Sequence, residues 1–178
     1  NICKHELGHW FTAQHYDFDA QHIEISLEES GFRGHSYSVP IPDLPTKNSI
    51  LEFLKQRASV LIAGVVSEVY KRDFSQEQLQ ELYETTAAVD VDHSYILLHM
   101  ARGIQFSGKI NDKNKSKQLD VIHNECWNRA EKIVKSNEGK IEYVAMKMTV
   151  SFINHNLKSY KFEKKELLSY MAEFKNKT

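Results

Sequence analysis

At 178 residues and 41% hydrophobic composition, the chain is long enough to bury one good-sized core or two small ones. Its 23 basic and 24 acidic side chains nearly cancel, which argues against the basic field of a nucleic-acid binder and against a solvating acidic tail. Seven glycines and three prolines favour helix over a turn-rich β fold, and no apolar run approaches the roughly 20 residues that span a bilayer.

Residues 2–16 space Ile2, Leu7, Trp10, Phe11 and Ala13 at intervals that predict a helix. Residues 21–28, QHIEISLE, alternate through Ile23, Ile25 and Leu27 as a strand with one buried face does. ESGFRG reads as a turn. HSYSVPIP alternates again until Pro40 and Pro42, which cannot donate to a ladder, so this second strand is expected at a sheet edge. After the loop DLPTKNS, residues 49–72 form a long apolar helix. SQEQLQELYE reads as a short polar helix with Ser75 as its cap. A helix is expected over about 91–104, then the polar loop SGKINDKNKSK. Helices over 116–136, 138–156 and 163–175 close the chain, with a break at Asn137-Glu138-Gly139. Cys3 and Cys126 are few and far apart, which fits a reducing compartment and suggests a cytoplasmic location; a disulfide between them stays open.

The segment with chemical content is His5-Glu6-Leu7-Gly8-His9, an HExxH on the first helix. Residues i and i+4 share a helix face, so His5 and His9 can bring two imidazole nitrogens to one Zn²⁺ at about 2.0–2.1 Å. Zinc lowers the pKa of its water toward about 7, and Glu6 would take the proton as general base. The competing reading is two histidines falling on an amphipathic helix by accident. A third ligand is required. His15 lacks the spacing of a metzincin, and His15 and His22 read as surface or strand-edge residues. Glu68 is a charge at the end of an apolar helix. It either receives the second ring N–H of a zinc histidine or pairs with Lys71 or Arg72.

The order of segments resembles the peptidase domain of FtsH-like ATP-dependent zinc proteases over nearly the whole chain. KHELGHWFTA resembles that family's HEAGHA helix, and AQHIEISLEESGFRGHSYSVPIP its hairpin. LIAGVVSEVY resembles GGRAAEE, and TTAAVDVDHSYILLHMAR resembles TTGAxND with the helix that ends in Met-Ala-Arg. AEKIVKSNEGKIEYVA and YKFEKKELLSYM resemble the C-terminal helical hairpin and the closing segment. A valine stands where the family has the arginine of GGRAAEE, and two aspartates stand where it has one after asparagine. No Walker A or arginine-finger region is present in these 178 residues.

The resemblance implies an α+β, mostly α fold: an HExxH helix, a small hairpin or sheet with an edge strand, a long buried helix and a C-terminal helical bundle. One metallopeptidase domain is expected over 1–178, with the zinc-site half at 1–110 and a helical subdomain at 111–178. The implied activity is a zinc-dependent endopeptidase that hydrolyses extended or unfolded polypeptide. Substrate would add along the edge strand at His35, Ser36, Tyr37, Ser38 and Val39. An AAA+ module or ring elsewhere in a full-length protein, or a stand-alone relative, are both compatible. Neither nucleic acid nor a membrane segment is expected. The alternatives are a catalytically inactive peptidase-like domain that binds peptide or protein, and a structural domain with solvated histidines.

For the third ligand, counting from Thr85-Thr86 in the family pattern points to Asp90, and counting back from Met100-Ala101 points to Asp92. Asp92, Tyr95, Ile96, His99 and Met100 fall on one helix face. Asp92 is therefore the expected ligand, with Asp90 as the runner-up and, on this reading, a cap of the free backbone N–H groups.

Overall fold

A computed structural model describes residues 1–29, 31–108, 114–154 and 158–175. It is α+β and mostly helical. Chain order is α1 (Ile2–His15), β1 (Ala20–Glu28), β2 (Gly31–Ser38), α2 (Lys47–Val69), α3 (Gln76–Glu84), α4 (Ala88–Gln105), α5 (Lys115–Asn154), β3 (Ser159–Phe162) and α6 (Lys164–Lys175).

Ten of the fourteen residues of α1 are buried, so this helix runs through the interior rather than across the surface. Leu7 and Trp10 have no exposed area, and α1 packs against α2, α5 and both strands of the hairpin. A side chain of this size buried fully contributes about 1.5–3 kcal/mol. α2 starts at a capping box in which Thr46 and Ser49 satisfy each other's backbone N–H groups. It then carries Leu54, Ala58, Ile62, Ala63 and Val66 into the same core. α3 begins at Ser75, whose hydroxyl accepts from Gln78 N–H, as expected of that cap.

The sheet has the order β2-β1-β3 and is antiparallel throughout. Ile23 and Ile25 point from the central strand into the core as the alternation predicted, whereas Leu27, expected on the same buried face, is 48% exposed. β2 lies at the edge, bonded to β1 alone among the described strands. It begins at Gly31, so Phe32, Arg33 and Gly34, read as turn, are strand residues, and Ser30 lies outside the described residues. Val39 falls just past the strand and donates its N–H to Phe18 O at 3.1 Å.

Two other expectations are corrected. The break at Asn137-Glu138-Gly139 does not exist: α5 runs unbroken for 40 residues. Asn137 turns its amide back to Ile133 O at 3.0 Å and satisfies a helix carbonyl instead of ending the helix. Gly139 is there for room, since a Cβ would sit 3.0 Å from the Phe174 ring of α6. The second correction is β3, four residues to which the sequence reading assigned no element. They pair with the free side of β1, Ile23 opposite Phe162. The loop predicted over 107–117 falls partly on residues 109–113, and the end of the helix predicted to 156 falls on 155–156; both lie outside the described residues.

One cluster of buried apolar side chains joins Leu7 and Trp10 of α1, Ile122 and Met148 of α5 and Leu167 of α6. Cys3 and Cys126 are both buried and both free thiols. Among the described residues no helix is long and apolar enough to cross a membrane.

Candidate metal centre

His5, Glu6 and His9 are buried because the helix that carries them is buried, at 1%, 4% and 7% exposure. Imidazole and carboxylate are costly to desolvate without partners. The partner of both histidines is Asp90. His5 Nε2 lies 3.0 Å and His9 Nε2 3.1 Å from the same oxygen, Asp90 Oδ2. The two rings meet edge to face with centroids 4.7 Å apart. One donor atom from each of His5, His9 and Asp90 lies within 4.8 Å of the other two, and this group can hold a metal ion.

The surrounding chain fixes the donors. His9 Nδ1 donates to Val60 O at 2.7 Å, which turns Nε2 toward Asp90. Bonds of this kind orient metal-binding imidazoles. His5 Nδ1 faces Glu68 Oε1 at 3.7 Å, too long for a hydrogen bond, and is buried without a hydrogen-bond partner. Glu68 is itself 5% exposed. The sequence offered Glu68 either as acceptor of the second ring N–H of a zinc histidine or as partner of Lys71 or Arg72. It lies beside His5 without a hydrogen bond to it, and Lys71 pairs with Glu138.

Glycines bring the backbone close. A Cβ on Gly64 of α2 would lie 2.5 Å from His9 Nε2 and 2.6 Å from His5 Nε2, in the space between the donors. A Cβ on Gly8 would meet Ala63 O at 2.2 Å, so the same contact needs glycine on α1. A Cβ on Gly34 of β2 would lie 2.5 Å from Glu6 Oε1. The sequence reading missed Gly34 and Gly64. The signal of Gly64 was glycine inside an apolar helix, where it is unfavourable unless something needs the room; Gly34 gave none while it was read as part of a turn.

Electrostatics follow from the burial. Desolvation raises the Glu6 pKa, against the opposing pull of His9 and His5. Burial would lower His9, but Asp90 overrides it and holds the imidazolium up to about 9. Burial would raise Asp90, but His9 and the two ring contacts hold it well below the usual carboxylate range.

Asp92 is not at the centre. It is exposed, and so are Tyr95, Ile96 and Met100, at 55%, 58% and 52%. The face chosen from the sequence is the outer one. Asp90, Ser94, Leu98 and Ala101 form the inner face, of which Ser94, Leu98 and Ala101 are buried. α4 starts at Ala88 rather than near 91, which puts Asp90 in the first turn, where it contacts the histidines instead of capping the helix; Ala87 holds the cap position. His35 and Tyr37 are exposed on β2, with Tyr37 stacked on His22 at 5.2 Å. Ser36 and Ser38, alternating with them, are half-buried. His15 is exposed at the far end of α1. No protein-family model matches the chain and no curated protein matches it, so the site is read from its own geometry.

Proposed function

We propose that the chain is a zinc-dependent endopeptidase acting on extended or unfolded polypeptide. The observation that carries the reading is the convergence of His5 Nε2, His9 Nε2 and an Asp90 oxygen around space that Gly64 keeps clear, beside the buried carboxylate of Glu6. Two imidazoles and one carboxylate are a donor set that zinc takes in catalytic sites, with a position left for water or substrate. The unpartnered His5 Nδ1 and the Val60-bound His9 Nδ1 leave both Nε2 atoms as the metal-facing nitrogens.

A bound Zn²⁺ supplies Lewis-acid polarisation of a carbonyl and makes water acidic near neutral pH. Glu6 supplies the proton transfers. It takes a proton from water as the oxygen bonds to the scissile carbonyl carbon, and returns it to the amine nitrogen as the C–N bond breaks. Its burial raises its basicity for the first transfer. Substrate aligns on the free edge of β2, where an added strand bonds to the main chain along His35, Ser36, Tyr37 and Ser38; Val39, expected in the same run, lies past the strand with its N–H already given to Phe18 O. Main-chain recognition requires an extended chain, so folded protein would be cut only after unfolding, by an AAA+ module of a full-length protein or by a separate unfoldase.

The test is elemental analysis of the purified chain, then cleavage of an unstructured peptide library. One zinc per chain, cleavage lost on chelation, and at least about 100-fold loss in Glu6→Gln are expected. Iron in place of zinc, or activity indifferent to Glu6→Gln, overturns the proposal. Zinc and peptide binding with no cleavage would mean an inactive peptide-binding domain instead.

A further inference from the structure

We infer that Gly34 is the positioning residue of the Glu6 carboxylate; this inference rests on the peptidase reading above. Gly34 lies inside β2, paired with Ile25 of β1, and has no positive φ that would demand glycine. A glycine inside a strand weakens it. What requires it is Glu6: a Cβ at position 34 would fall 2.5 Å from Oε1, 2.6 Å from Cγ and 2.8 Å from Cδ. Two of these atoms belong to the carboxylate that carries out proton transfer, and the third is the methylene that bears it. Ordinary contact begins at 3.4 Å, so an added methyl group drives the carboxylate back by roughly 1 Å.

The contact joins two parts of the proposed site. Glu6 is on α1 with His5 and His9, and Gly34 is next to His35 on the strand offered to substrate. The bare backbone of β2 thus serves two purposes at neighbouring residues. Its free edge receives the peptide, and its inner surface at Gly34 sets how far the base stands from the bond aligned there. Gly34 acts through Glu6, without touching substrate chemistry itself.

The test uses Gly34→Ala in the full chain. Zinc content at one per chain and KM for an extended peptide stay within about twofold of the parent, since donors and strand edge are unaltered. kcat falls roughly 10- to 100-fold, the cost of misplacing a reacting group by about 1 Å. A purely structural defect would instead lower zinc content and kcat and raise KM together, and would overturn the inference. A thermal cycle tests the contact without using activity. Gly34→Ala lowers Tm by roughly 2–10 °C beside Glu6, and by less in a Glu6→Ala background, where the three clashing atoms are gone. Equal Tm shifts in the two backgrounds overturn the inference. If the zinc-loaded parent cleaves no peptide, the peptidase reading fails on that result, and the Gly34–Glu6 contact is judged by the thermal cycle alone.

Discussion

Gly64→Ala is the smallest change that tests the metal centre. The added methyl group would lie 2.5 Å from His9 Nε2 and 2.6 Å from His5 Nε2, where ordinary contact begins at 3.4 Å. Each nitrogen must therefore retreat by about 0.8–0.9 Å, several times the roughly 0.2 Å tolerance of a zinc–ligand distance. The fold itself changes less. Alanine is about 1 kcal/mol better than glycine in a helix interior, and overpacking costs about 1–3 kcal/mol. The net loss is then at most roughly 2 kcal/mol, or about 4–8 °C in Tm for a domain of this size. Zinc affinity should fall by at least about 100-fold, the upper end of what losing a ligand's hydrogen-bond partner costs. Competition against a chromophoric chelator measures the affinity, and circular dichroism confirms the fold. Gly103→Ala is the control, because nothing lies within 4 Å of its Cβ position and α4 should only gain from alanine. A folded Gly64→Ala chain that binds zinc as tightly as the parent would refute the placement of the metal between these two rings.

Asp90→Asn should weaken zinc binding roughly 10- to 100-fold or more, whereas exposed Asp92→Asn should leave it unchanged; isothermal titration of both variants decides between the aspartates. Burial pushes the Cys126 thiol up to about 11, so a disulfide-exchange chromophore at pH 8 should label neither cysteine of the native chain and both after denaturation; rapid labelling of the native chain would contradict the packing. Burial acts to raise Glu125, but the Lys55 ammonium and Arg129 override it and lower its pKa below 4.5. A lowered carboxylate stabilises the fold above its unfolded pKa and loses that contribution as pH falls through the folded one. Tm of Glu125→Gln should therefore lie below the parent's at neutral pH and converge with it below about pH 4, and a gap that persists at pH 3 would rule out this linkage.

The elements visible in the sequence were those with strong local signals. The HExxH helix, the alternation of β1, the prolines that end β2, the Ser75 cap and the long apolar α2 all appear where the pattern put them. What the sequence hid depended on distant partners. β3 is four residues long and becomes a strand because Ile23 and Ile25 offer it an edge. Gly139 looked like a breaker because Phe174, whose ring needs the space, lies on another helix. Asp92 was preferred because Tyr95, Ile96 and Met100 make an apolar stripe, and periodicity alone cannot tell a buried stripe from an exposed one. The inner face, with Ser94 and Ala101, has less apolar bulk because it packs closely on α2.

The central strand links segments far apart in the sequence, in time as well as in space. During synthesis β1, β2 and the residues His5, His9 and Asp90 all leave the ribosome before the strand that completes the sheet: Ile23 waits for Phe162. A two-stranded hairpin is marginal alone, and contacts this distant in sequence form slowly. Until then β1 has a bare side flanked by Ile23 and Ile25, a template for pairing with another nascent chain. A chain truncated before Ser159 should retain His5, His9 and Asp90 yet aggregate through that side, so recombinant fragments designed around the metal donors alone would fail at the sheet and leave the centre itself untested.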